Sequence, residues 1–271
     1  MGPGSRQHIL PPVQPSLPLE ADHYRRISGN GVGISEFYEF TIAEDGVHQF
    51  YAVPDGSVDL VFGIHEQDVH ASIGGTVLQV KQWMFEPGRT YFGVRFYPGQ
   101  CLLPDGLTIQ EVVNTDLCLD VDRFEDYLAE RIANGTSIQE RSQIFLRTYS
   151  KKFSELQGTR YNLERYIRKR IYETNGTISI QALCEETGYS ACYVRRTFEQ
   201  VHGISPKLFE RFIRFQHMLH LMEQNITNNR MDELAILCGY YDQSHMMKDF
   251  KCFSGKTPEQ YRSLLLSNRS V

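Results

Sequence analysis

Between residues 34 and 97 the chain alternates short apolar runs with turn-forming residues. The runs are 34–41, 47–53, 57–64, 69–73, 76–84 and 89–97, rich in Val, Ile, Phe and Tyr. Glu44-Asp45-Gly46, Pro54-Asp55-Gly56, Gly74-Gly75 and Glu86-Pro87-Gly88 separate them. Such runs bounded by turn residues predict strands. In 76–84 the alternation is visible as Val77, Lys81 and Trp83 against Leu78, Val80 and Gln82. Six short strands without an intervening helix predict an antiparallel sandwich or barrel.

After Pro104 the period changes. Phe124, Tyr127, Leu128, Arg131 (by its stem) and Ile132 recur at helical spacing behind a cap at Asp120 or Asp122, and Asn134-Gly135 ends that helix. A second helix is predicted over 137–153, carrying Ile138, Ile144, Phe145, Tyr149 and Phe153. This pair packs either on the strands or against the same helices of a second subunit. Residues 157–159 read as a linker. Residues 8–20 hold four prolines, which fix φ and remove donors, so an extended arm or a disordered leader is expected. Met1-Gly2-Pro3-Gly4-Ser5 reads as a tag remnant.

Composition adds a division of charge. The 271 residues carry a net charge of −5. Residues 162–271 hold 15 Lys+Arg against 12 Asp+Glu, whereas 1–161 hold 13 against 21. An acidic half joined to a mildly basic half implies two domains with different partners. No apolar run is long enough to span a bilayer, which needs roughly 18–20 residues, and the N-terminus lacks a signal peptide's pattern. The six cysteines contain no Cys-x-x-Cys pair. That suits reduced thiols in a cytoplasm better than disulfides or zinc.

The basic half contains an internal repeat. The first copy runs Leu183-Cys184-x3-Gly188-Tyr189, then Phe198-x4-Gly203-x2-Pro206-x2-Phe209. The second runs Leu234-Ala235-x3-Gly239-Tyr240, then Phe250-x4-Gly255-x2-Pro258-x2-Tyr261, with one extra residue in its turn. Each copy reads as a helix-turn-helix. Gly188 and Gly239 end the first helix. Ser190 and Asp242 cap the second, and Gly203 and Gly255 end it before Pro206 and Pro258 start the next. Val194 and Phe198, or Met246 and Phe250, face inward. The opposite face offers Ala191, Cys192, Arg195 and Arg196 in one copy and Gln243, Ser244, Met247 and Lys248 in the other, as a recognition helix does toward the major groove. The apolar positions from Phe209 to Met222 predict a long helix that holds the two copies apart.

On these motifs residues 162–268 resemble the C-terminal DNA-binding domain of the AraC/XylS family of transcription regulators. The pattern Gly-aromatic, then Phe-x4-Gly-x2-Pro-x2-aromatic, stands twice in register. Cys184 departs from the usual alanine, and Tyr193, Met246 and Met247 are uncommon choices. The run from Pro54 to Phe62 and the run from Gly93 to Gly99 resemble the cupin-like sensor domain that often accompanies it. The resemblance implies double-stranded DNA and RNA polymerase as partners, a small-molecule effector in the N-terminal barrel, and dimerisation through that half.

The expected fold is therefore α+β. It comprises a tag remnant and arm (1–20), a cupin-like antiparallel β-barrel (21–110), a helical pair available for dimerisation (111–157) and a double helix-turn-helix (162–268). DNA contacts are expected from Ser190, Ala191, Cys192, Arg195, Arg196, Gln243, Ser244, His245, Met247, Lys248, Lys251 and Lys256. The competing reading for each is a solvated helix face. An effector pocket is expected from Phe37, Phe62, Trp83, Phe85, Tyr91, Arg95 and Phe96, with Arg89 or Glu86 adding polarity; core filling is the competing reading. His65, Glu66 and His70 lack metal-ligand spacing, and no nucleophile or phosphate-loop motif is present, so no cofactor, metal or enzymatic activity is expected. A ligand-independent regulator whose barrel only dimerises is the alternative, and a barrel enzyme tethered to DNA ranks behind it.

Overall fold

A computed structural model describes residues 11–29, 32–44, 49–66, 68–104, 106–121, 124–156, 162–224 and 230–269. The described residues fall into two units, one within 14–159 and the other within 160–271 together with residues 11–13. The expected linker at 157–159, the tag remnant and Asp122 lie outside the described residues.

The first unit holds eight strands among the described residues: β1 (Asp22–Ser28), β2 (Ile34–Thr41), β3 (Phe50–Ala52), β4 (Val58–His65), β5 (Asp68–Gly74), β6 (Lys81–Trp83), β7 (Thr90–Phe96) and β8 (Asp116–Leu119). Six form an antiparallel sheet in the order β1-β2-β7-β4-β5-β8, and β3 pairs with β6. Among the described residues, the runs 47–53 and 76–84 supply the three-residue strands β3 and β6. β1 and β8 answer no expected run, and β8 carries the sheet past residue 110.

β2, β4 and β7 are buried on both faces, which explains their nearly continuous apolar sequence. Side chains alternate between the faces. One face presents Phe37, Leu60, Phe62, Phe92, Val94 and Phe96, and α3 (Leu128–Ala133) and α4 (Ile138–Leu156) cover it through Leu128, Ile132, Phe145 and Tyr149. An ion pair from Arg141 to Glu39 joins helix and sheet there. The helical pair thus packs on the sheet. The other face presents Tyr38, Phe40, Val61 and Tyr91 to Phe50 and Leu17. Gly93 permits this: a Cβ there would lie 2.0 Å from the Tyr38 ring.

Two local expectations are corrected. The arm is not extended throughout, because Ser16–Glu20 forms a helical turn, α1. Leu17 is buried and Ser16 Oγ accepts from Tyr51 N–H (3.0 Å), so docking overrides the proline content. The helix expected behind Asp120 or Asp122 begins only at Leu128, after a 3-10 turn in which Asp126 and Tyr127 take positive φ. Phe124 still packs, 5.7 Å from Phe62. Thr108 and Glu111 form a capping box on the short α2 (Ile109–Val112).

The second unit is helical: α5 (Asn162–Glu173), α6 (Ile180–Thr187), α7 (Ala191–His202), α8 (Pro206–Gln224), α9 (Met231–Leu237), α10 (Gln243–Ser254) and α11 (Pro258–Arg269). α8 is its spine. Phe209 packs on Phe198 (5.3 Å) and Tyr172 (5.7 Å), while Phe215 packs on Phe250 (5.5 Å) and Phe253 (5.4 Å). Residues 11–13 lie along it, where Val13 N–H donates to Gln216 Oε1 (2.7 Å).

Candidate functional site

Two helix-turn-helix motifs emerge from local signals. In the first, α6 ends at Gly188 (φ 73°), where a left-handed backbone suits glycine. Ser190 Oγ then accepts from Tyr193 N–H (3.3 Å) and starts α7. In the second, α9 passes through Cys238 and Gly239 (φ 69°), and Asp242 Oδ1 accepts from His245 N–H (2.7 Å) to start α10. The second turn has one more residue between glycine and cap, and Tyr241 is 94% exposed in it. Gly203 and Gly255 end α7 and α10 with positive φ.

The buried sides of α7 and α10 hold Val194, Phe198, Met246 and Phe250. Their orientation is braced by ionic contacts. Glu164, buried on α5, accepts from Arg168 Nε (2.7 Å) and lies 2.8 Å from His202 Nε2. Burial pushes the His202 pKa below its ordinary value despite that carboxylate. Burial would raise Glu164, but the His202 and Arg168 contacts outweigh it and hold it low. A neutral ring donating Nε2–H to a carboxylate satisfies both directions. On α10, Asp249 is buried and takes Arg211 Nη2 of α8 at 2.7 Å. Removing either partner would strand a charge.

The outward sides carry the expected set. Cys192, Arg195, Arg196, Gln243, Ser244, His245, Lys248, Lys251 and Lys256 are exposed, and Ala191 and Met247 are half-buried. Ser190 is exposed, with its hydroxyl engaged as a cap. Among the described residues Arg195, Lys248, Lys251 and Lys256 make no ion pair, so their charges remain free for phosphate or base. Arg196 lies over the Tyr193 ring (5.4 Å), and Tyr193 stacks near Tyr189 (4.9 Å). Sequence reasoning did not select these exposed tyrosines. Their position, beside the turn and at the start of the recognition helix, was the available signal. His245 meets Tyr240 edge-on (5.4 Å).

The expected pocket residues separate by sheet face. Phe37, Phe62 and Phe96 lie in the core under α3 and α4. On the other face Trp83 and Phe85 meet edge-on (5.9 Å), Phe85 and Tyr91 lie 4.7 Å apart, and Tyr91 accepts from Glu86 N–H (2.7 Å). Arg89 pairs with Asp68 and Glu86. Trp83 and Arg95 border a depression of about 220 Å³, open mouth included, together with Gln14, Asp55, Ser57, Asp59 and Gly74. Arg95 is 1% exposed. It grips Asp59 with two N–H groups (2.9 and 2.6 Å) and Glu36 with a third (3.1 Å), and Tyr38 O–H also donates to Asp59 (2.9 Å). Glu36, Asp55 and Asp59 were missed as site residues; for Glu36 and Asp59 a carboxylate inside a mostly apolar strand was the sign. Among the described residues no three His, Cys, Asp or Glu side chains converge to hold a metal, and no helix is long and apolar enough to cross a membrane.

Residues 183–263 match the family model of a helix-turn-helix domain. No curated protein matches the sequence. Among solved structures, the chain is similar to ToxT from Vibrio cholerae O395, at 12% identity and TM-score 0.42, over 89% of this chain and 96% of that one. A second similar structure is unsaturated-fatty-acid-bound ToxT from Vibrio cholerae strain SCE256, at 10% identity and TM-score 0.39, over 92% and 94%. The matched segment contains both motifs from the end of α6 into α11, with their caps, glycines and outward basic faces. Residues 183–263 of this chain are thus a helix-turn-helix domain.

Proposed function

We propose that the protein is a sequence-specific transcription regulator that reads two successive major grooves with α7 and α10 and is controlled by a small molecule bound in its N-terminal unit. The paired helix-turn-helix on one rigid spine carries this reading. α8 has 19 residues, about 28 Å at 1.5 Å per residue, which is commensurate with the roughly 34 Å between successive major grooves on one side of DNA. Arg195 and Gln243 are the base-reading candidates, the first toward guanine and the second toward adenine. Lys251 and Lys256 are the phosphate candidates. RNA polymerase is the further partner, and the cytoplasm the site of action.

An effector controls such a protein only through different affinities for its DNA-competent and incompetent states. The test is selection of bound fragments from random DNA by the purified chain at a stated salt concentration. The expected result is a motif of two blocks about one helical turn apart. Recovery of a single block, or of none, refutes paired reading by the isolated protein.

A further inference from the structure

We propose that the depression bordered by Asp55, Ser57 and Trp83 binds a small molecule through a cationic, hydrogen-bond-donating head such as an amidinium or ammonium. This rests on the reading of the N-terminal unit as a sensor and names the chemistry of its ligand.

The first ground is an imbalance of buried charge. Glu36, Asp55 and Asp59 share the region with one buried cation, Arg95; the exposed Arg26 reaches only Glu36, at 3.9 Å. The Arg95 guanidinium is committed to Asp59 and Glu36. Asp55, 5% exposed, receives only neutral donors: Ser57 N–H on Oδ1 (2.7 Å) and Gln14 Nε2 on Oδ2 (2.8 Å). No side-chain cation among the described residues lies within ion-pair distance of it. Lys81, two residues before Trp83, is committed to Asp116 (2.6 Å). A buried carboxylate without a counter-charge is costly, and each of its oxygens keeps a lone pair to offer. Burial accordingly raises the Asp55 pKa, with Arg95 opposing. A cationic ligand supplies the missing charge.

The second ground is independent of charge. Ser57 borders the same depression at 5% exposure, and its Oγ has no hydrogen-bond partner. Unsatisfied buried hydroxyls are uncommon in folded proteins, and this one stands two residues from the unpaired carboxylate. Together they form a two-acceptor cradle. Trp83 supplies an aromatic wall of the kind that attracts cations. An anionic ligand would find each of the three Arg95 nitrogens already engaged by Asp59 or Glu36, and carboxylates around them. Beneath its open mouth the depression has room for little more than a water-sized group. The ligand is therefore small, or enters by its head alone.

Three isosteres test the proposal: acetamidinium, acetamide and acetate, titrated into the full chain at matched ionic strength. Trp83 is the only tryptophan, so its fluorescence reports the site directly. Acetamidinium should give a saturable change, with acetamide and acetate about tenfold weaker or more, the difference a charge-assisted hydrogen bond makes. Asp55→Asn should raise the acetamidinium half-saturation by about tenfold or more. Gly74→Ala provides a second variant that spares the charges. Gly74 does not use positive φ, and a methyl there would meet Asp116 Oδ1 at 3.4 Å and Trp83 Cζ2 at 3.8 Å, ordinary contacts. It should fold, narrow the site and abolish the response.

Equal responses to all three isosteres, or an acetamidinium response unchanged in Asp55→Asn, overturn the cationic class. If acetamide or acetate saturates and Gly74→Ala abolishes that response, the sensor reading survives without the cationic head. Silence of Trp83 toward all three, in a protein that still selects its DNA motif, removes the depression as a binding site and leaves the regulator.

Discussion

Arg95→Met tests whether one guanidinium holds the second face of the sheet together. Arg95 is 1% exposed and makes three charge-assisted hydrogen bonds, two to Asp59 and one to Glu36. Methionine fills much of the volume, so the cavity contribution is small. The dominant loss is that buried Asp59 loses its cation while Glu36 keeps only the exposed Arg26, 3.9 Å away. Breaking a buried pair from one side costs about 3–5 kcal/mol. For a unit of this size each kcal/mol lowers Tm by about 2–4 °C, so a fall of roughly 6–20 °C is expected. Trp83 lies in this unit and is the only tryptophan, so thermal unfolding followed by its fluorescence isolates the unit from the helical one.

The loss should depend on pH. Burial already raises the Glu36 pKa above its ordinary 4.5, with Arg95 the main opposing charge, and the substitution deletes that opposition. A carboxyl with a folded-state pKa above its unfolded one holds its proton more tightly when folded. It therefore costs least in acid, and stability falls as pH rises from about 4.5 through the folded value. The deficit against wild type should be smaller at pH 5 than at pH 7.5. A loss below about 1 kcal/mol, far under the expected cost of breaking a buried pair, or an equal deficit at both pH values, would refute the reasoning.

Three further outcomes are expected. Arg195→Ala should cost about 1–3 kcal/mol in DNA binding and relax the preference at one base position; an equal loss on every sequence would instead mark a phosphate contact. Gly188→Ala meets nothing within 4 Å and pays only for its positive φ, about 1–2 kcal/mol. Gly239→Ala adds a clash 2.2 Å from Thr177 Cγ2 and should cost clearly more by urea denaturation followed at the helical circular dichroism signal; equal costs would contradict the packing described. Burial holds the His202 pKa below its ordinary 6.5, so the neutral ring's contribution is complete above about 6.5 and is lost as pH falls through the folded value. Glu164, also held low, extends that loss below 4.5. His202→Gln should flatten the upper part of this acid profile, and an unchanged profile would remove His202 from the account.

The helix-turn-helix half was legible because its signals are local. Ser190 and Asp242 cap the helices that follow them, glycines stand where φ is positive, and 3.6-residue spacing sorts Val194 and Phe198 from Arg195 and Arg196. Each depends on backbone geometry within a few residues and appears twice. The N-terminal half was legible only to the level of strands. Period two separates Phe37 from Tyr38 but does not say which face the helices cover, so Phe37, Phe62 and Phe96 were grouped with Trp83 and Arg95 across the thickness of the sheet. β8 exists because Asp116–Leu119 reaches the edge of β5, an event with no local pattern. The meeting of Glu36, Asp59 and Arg95 requires strands 36 and 59 residues apart in sequence to lie side by side. In the helix-turn-helix half, caps, terminating glycines and the repeat were thus determined by neighbouring residues alone. Which carboxylates found a cation, and which one did not, was decided by strand pairing, because electrostatic partners are set by distance in space.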